Sequence, residues 1–287
     1  MRAGRTSATH ASTGRFVRSA ALGFLLLLLG CLQLSRPGIA EAEVVHLQEP
    51  FSPLNGSGSG LTLQAPSGIA IDEAIGNIFL GETSNANRVA ILGGEGGAPV
   101  GLASPFPIPG ITTANFAEPN GVAFDNNPSS PGFGTLYIAD TRNADTTKRT
   151  VKAFVRNPAT ERYEMSTEFV PALMSGTELE AKGVAVDAEG DVWVADYGQK
   201  AVIEFAPDGI ELSRVDVSHV LPHGLPSEDG RPKAVAISAL GDLFVMQFGR
   251  VLNQNQPRVV KWVADESGKI NPSEDPLVVP DTTGAWG

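Results

Sequence analysis

Cysteine is almost absent from this chain: Cys31 is the only one in 287 residues, so no intramolecular disulfide is available to hold the fold. Histidine is nearly as scarce, with four in all, and His10 lies in the first stretch of the chain. That leaves His46, His219 and His223 for any metal or acid–base chemistry. No His-x-Glu pair occurs, and no Ser/His/Asp ordering suggests a hydrolase. Aromatics make up 7% of the residues, and the repeating apolar spacing of an amphipathic helix is missing from every apolar stretch after residue 60. By contrast, 32 Gly and 21 Pro punctuate the chain, which suits many short strands joined by turns. At 42% hydrophobic and 18% charged, the composition can bury a core.

Basic residues are outnumbered. Five of the 21 (Arg2, Arg5, Arg15, Arg18 and Arg36) and none of the 32 acids lie before Glu41, so the chain from Glu41 onward sets 16 positive against 32 negative charges, a net −16. Such a field opposes binding to phosphate backbones and anionic lipid and favours solubility or cationic ligands, so nucleic acid is not an expected partner. The basic start, the apolar run from Ala20 to Leu34, the breakers Pro37 and Gly38, and the small residues of Ala40-Glu41-Ala42 together predict a signal peptide over 1–42 and a secreted protein. Two alternatives stay open. Leu28-Leu29-Gly30-Cys31 reads as a bacterial lipobox with lipidation at Cys31, which would anchor the protein at the outer face of the cell membrane. An uncleaved leader would also reach the membrane.

A repeat runs through the remainder. Pro66-Ser67-Gly68-Ile69-Ala70-Ile71-Asp72 aligns with Pro119-Asn120-Gly121-Val122-Ala123-Phe124-Asp125, with Ala181-Lys182-Gly183-Val184-Ala185-Val186-Asp187 and with Pro232-Lys233-Ala234-Val235-Ala236-Ile237-Ser238. Each is followed by a Gly and a second apolar run, containing Phe79, Tyr137, Trp193 and Phe244, and then by a third run. The unit starts Gly68, Gly121, Gly183 and Ala234 are 53, 62 and 51 residues apart, and the long interval contains the insertion 126–133. Three or four strands per unit is the blade of a propeller. Between the first two runs, Asp187-Ala188-Glu189-Gly190-Asp191 predicts a hairpin turn, with Gly at φ > 0 and Asp accepting backbone N–H bonds. The large aromatics are expected to fill the space between blades.

This pattern resembles the NHL repeat family over roughly residues 66–265. The resemblance implies an all-β propeller with four recognisable blades, 66–118, 119–180, 181–231 and 232–283, preceded by an N-terminal outer strand and linker at 43–65. Propellers of that family close with about six blades. The expected ring is therefore open or incomplete, with Gly284-Ala285-Trp286-Gly287 opening a missing fifth blade, the chain a possible fragment, and self-association one way to cover the open edges.

Asp140 and Asp196 end their second strands at matching positions and are the candidate ligands for a divalent cation near the axis; the competing reading is that they cap turns. The related gluconolactonase and regucalcin-like propellers place Glu, Asn and Asp around an axial metal, but Glu82, Asn87, Asp140 and Asp196 do not fall into that order. No other cofactor is implied. Arg142, Lys148 and Arg149 form a basic loop, and His219 and His223 have i, i+4 spacing that Pro222 and Gly224 turn from a helical zinc pair into a second loop. The expectation is a non-catalytic binding or scaffold module that presents loops 126–133, 141–149 and 252–257 to a protein or glycan, with a metal-dependent lactonase or lyase as the alternative.

Overall fold

The computed structural model describes residues 65–83, 87–92, 94–95, 98–99, 116–141, 150–160, 162–175, 178–218, 230–251 and 254–279. The leader 1–42 with Cys31, the outer strand proposed at 43–65 apart from Ala65, Arg142, Lys148, Arg149, His219, His223 and the segment 284–287 lie outside them. Every regular element described is a strand.

The first sheet is β1 (Pro66–Asp72), β2 (Asn77–Glu82) and β3 (Arg88–Leu92), in that order. A small pair follows, β4 (Gly94–Glu95) with β5 (Ala98–Pro99). The second sheet is β6 (Pro119–Phe124), β7 (Thr135–Asp140), β8 (Thr150–Asn157) and β9 (Arg162–Met165). The third is β10 (Ala181–Val186), β11 (Val192–Asp196), β12 (Ala201–Phe205) and β13 (Glu211–Asp216). The fourth is β14 (Arg231–Ile237), β15 (Leu243–Val251), β16 (Gln254–Trp262) and β17 (Leu277–Val278). Each is an antiparallel meander of sequential neighbours, the blade of a β-propeller.

Alternation along the strands fills one seam after another. Phe79, Val89 and Ile91 of the first sheet meet Val122, Leu136 and Ile138 of the second. Phe79 stacks on Phe124 at 5.5 Å between centroids and takes the edge of Tyr163 at 5.1 Å. Tyr137 and Ala139 meet Val184, Val192 and Val194 in the next seam, and Trp193 and Val202 meet Leu243, Val245 and Val260 in the third. Three of the four aromatics thus act as expected between blades. Phe244 does not: it is half-buried with the Lys261 ammonium 5.3 Å from its ring, and it belongs to none of the buried clusters. At the first sheet the exposure is confined to β1, since Leu80, paired with Ile69, and Ala90, paired in turn with Leu80, are buried. Ile69 and Ile71 are 63% and 46% exposed, whereas Val122 and Val184, their counterparts in register with Ile69, are buried against a preceding sheet.

The predicted turns are present. Gly76, Gly134, Gly190 and Gly241 have φ between 73° and 90°, where a side chain would be strained. Asp187 accepts from the N–H groups of Glu189 at 3.0 Å and Asp191 at 2.9 Å, and Asp72, Asp125 and Ser238 close their own turns in the same way. The insertion 126–133 is anchored more firmly than a free surface loop: buried Ser130 donates to Asp125 at 2.5 Å, and the Asn127 side-chain amide donates to the carbonyl of Ala188 in the next sheet.

Candidate functional site

The sheets present two ends. At one, the second strands finish and the inner strands begin; the residue six positions after each turn glycine is Glu82, Asp140, Asp196 or Gln247, and all four are fully buried. Sequence reasoning chose Asp140 and Asp196 as cation ligands because it matched Asp with Asp, and weighed Glu82 only within the lactonase-like set. Counting from the turn glycine finds all four.

These side chains are held by different partners. Arg88 on the adjacent strand donates from Nε to Glu82 at 2.5 Å. Asp140 accepts from the N–H groups of Ala117 at 3.0 Å and Glu118 at 2.7 Å, and pairs with the Lys152 ammonium. Asp196 accepts through Oδ1 from Glu180, Gly198 and Gln199 at 3.0–3.2 Å, which fixes the loop after β11, while Oδ2 is buried with no hydrogen-bond partner. Burial raises the Asp196 pKa above the ordinary carboxylate range; the three N–H donors and Arg214 oppose the shift. Both sequence-chosen aspartates therefore act as loop caps in their own sheets. Neither joins a group of three metal-ligating side chains among the described residues.

Cations gather at the same end, across the third seam. Lys233 Nζ lies 4.2 Å, the Arg231 guanidinium 4.6 Å and Lys182 Nζ 6.0 Å from the ring centroid of Tyr197. Lys233 also lies 5.8 Å from the Phe248 ring, and Lys182 is 3.8 Å from Glu118. Burial and then the charge of Lys182 lower the Lys233 pKa, against Glu180 and Glu118. The residues immediately before Gly183 and Ala234 supply both lysines, and the equivalent places before Gly68 and Gly121 carry Ser67 and Asn120. An aromatic platform ringed with donors suits a polar, anionic partner. No sequence signal pointed to Tyr197, which meets Lys233 only because two sheets pack together.

The other end carries a carboxylate group that sequence reading also missed. Asp187, Asp191 and Glu204 each offer an oxygen within 4.8 Å of the others. Asp187 is engaged by Trp193 Nε1 at 2.8 Å and by its own turn, and Glu204 by the Ser213 hydroxyl. Burial, followed by repulsion from Asp187 and Glu204, pushes the Asp191 carboxyl up to about 6. A folded pKa above the unfolded value means the native state holds the extra proton, so this group makes stability fall as pH rises from about 4 to about 6. Asp191→Asn is accordingly expected to raise the melting temperature at pH 7.5 and flatten its slope between pH 4 and 6. Melting curves across that range check it, and an unchanged slope would contradict the sign.

A family model described as the SMP-30/gluconolactonase/LRE-like region, a family of six-bladed propellers, matches residues 111–222, the part that spans the second and third sheets. No curated protein matches the chain. Among solved structures it is similar to a gluconolactonase from Xanthomonas campestris, at 18% identity over 66% of this chain and 56% of that one, with a TM-score of 0.42. It is also similar to virginiamycin B lyase from Staphylococcus aureus, at 16% over 76% and 57%, TM-score 0.44. An auxiliary nutrient binding protein from Bacteroides thetaiotaomicron aligns at 9% over 78% and 44%, TM-score 0.48. The chain spans little more than half the length of the first two.

Proposed function

We propose that this protein is a non-catalytic binding module of NHL-type blades, exported from the cytoplasm, which takes a protein or glycan at the end of the sheets where Tyr197, Lys182, Arg231 and Lys233 meet. One observation carries the reading: of the carboxylate oxygens that Asp140 and Asp196 could offer a metal at that end, all but Asp196 Oδ2 already serve the fold. Asp140 spends both oxygens on Ala117, Glu118 and Lys152, and Asp196 Oδ1 accepts three backbone N–H groups. The patch is a local exception to the net −16 of the chain from Glu41 onward, and its ammonium and guanidinium groups around an aromatic face suit the carboxylates and ring faces of an acidic glycan or an acidic protein segment.

The second reading, a metal-dependent lactonase- or lyase-like propeller, is favoured by the family match over residues 111–222. Calorimetric titration of chelator-treated protein with Ca²⁺, Mn²⁺ and Zn²⁺ separates the two. The binding-module reading expects no stoichiometric binding that Asp196→Asn abolishes. It also expects an acidic glycan or peptide array to give signals that Lys233→Ala with Arg231→Ala weakens at least tenfold. A cation bound at one equivalent and lost in Asp196→Asn would overturn it in favour of the enzyme.

A further inference from the structure

Arg258 on β16 lies opposite Gln247 on β15. It is 4% exposed, and its Nε and Nη2 have no hydrogen-bond partner. Arginine keeps its proton under all ordinary conditions, so this is a permanent buried charge. The chain contains its own comparison. In the first sheet the same register position holds Arg88 opposite Glu82, and there the Nε donates to a fully buried carboxylate at 2.5 Å. The fourth sheet keeps the arginine and replaces the acid with a neutral amide.

The adjacent strand β14 brings cations to this place. Arg258 shares a face with Val260 and Trp262, which close the seam against Trp193 and Val202 of the third sheet. Gly230 borders the Gln247 amide: a Cβ there would lie 2.8 Å from the Val217 carbonyl oxygen and 3.3 Å from Gln247 Oε1, so any side chain would crowd this floor. Pro232, paired with Gln247, is flanked on β14 by Arg231 and Lys233. Burial lowers the Arg258 pKa with no opposing anion, as expected for a guanidinium that lacks its counter-charge.

We propose that the seam between the third and fourth sheets binds a carboxylate group from a ligand, seated on Nε and Nη2 of Arg258, with Nε donating as Arg88 Nε donates to Glu82. A guanidinium fork accepts such a group with two parallel N–H bonds. The site does not depend on the binding-module reading, because a ligand carboxylate could belong to an enzyme's substrate equally well.

Sodium acetate and propionate are the probes, with sodium chloride and sodium phosphate at matched ionic strength as the other arms. In the whole protein, acetate at a hundredfold excess over its Kd should raise the melting temperature by about 5–10 °C over chloride, saturably. Gln247→Glu supplies the missing carboxylate from within. Its melting temperature in chloride should exceed that of the wild type, and its acetate response should vanish. Because this variant restores a pair that the first sheet already folds with, loss of response cannot be put down to misfolding. A wild type that treats acetate like chloride, or a Gln247→Glu variant that still responds, overturns the proposal. A phosphate response larger than that of acetate overturns the assignment to a carboxylate.

Discussion

Asp140→Ala will destabilise the fold by about 3–5 kcal/mol, the range for removing one partner of a buried ion pair. The side chain is fully buried, and the substitution takes away three interactions together. The N–H groups of Ala117 and Glu118, which lead into β6, lose their acceptor, and the Lys152 ammonium, on a side chain 13% exposed, loses the Asp140 carboxylate. The Phe116 ring lies 5.3 Å from that ammonium. Asp140→Asn keeps an acceptor for the two N–H groups and should cost less, about 1–3 kcal/mol. Adding Lys152→Met to Asp140→Ala should recover part of the loss, because it removes the ammonium that paired with the lost carboxylate. Urea unfolding with an unchanged m-value measures all three. The result also bears on function. A side chain whose removal costs this much in metal-free protein is serving the fold, whereas a vacant metal ligand would leave metal-free stability nearly unchanged or improved.

What could be read before the fold was known follows the range of the interactions involved. The hairpin turn at Asp187–Asp191 is written in five consecutive residues, so Gly190 at φ 90° and the Asp187 cap follow from local chemistry. The four-fold repeat multiplies that local signal, which is why the meander sheets were legible. The functional groups are not local. Lys233 and Tyr197 come from different sheets, and their 4.2 Å approach depends on how the third seam packs. Glu204 joins Asp187 and Asp191 only through the register of β11 with β12. Phe244 matched its counterparts in sequence, yet lacks the buried cluster that encloses Phe79, Tyr137 and Trp193. Its letter was readable but its environment was not. The unsatisfied Arg258 is more instructive still. Nothing about an arginine in a strand marks it as unpaired until the opposite residue is known to be Gln247, and only the comparison with Glu82 and Arg88 gives that absence a meaning.

Gly183→Ala will cost about 3 kcal/mol, the upper part of the usual range for overpacking, because every atom in the way is backbone. A Cβ at 183 would stand 2.8 Å from the Ala234 Cα and 3.1 Å from both the Lys233 oxygen and the Val235 nitrogen. None of these can rotate aside, so β10 and β14 must separate. Gly121 meets the Gly183 Cα at the same 2.8 Å, and the innermost strands therefore touch in series. Ala234, exposed on its own far side, carries a methyl where the earlier units need glycine. Gly134→Ala is the control: its φ of +81° strains an alanine, but nothing lies within 4 Å of the new methyl, so about 1 kcal/mol is expected. The two variants should differ in function as well. Separating β14 from β10 carries Arg231 and Lys233 away from Tyr197, so Gly183→Ala should lose binding of an acidic glycan or peptide even at temperatures where it stays folded, while Gly134→Ala should keep it. Equal binding by both would mean that the cation and aromatic patch is not where the partner sits.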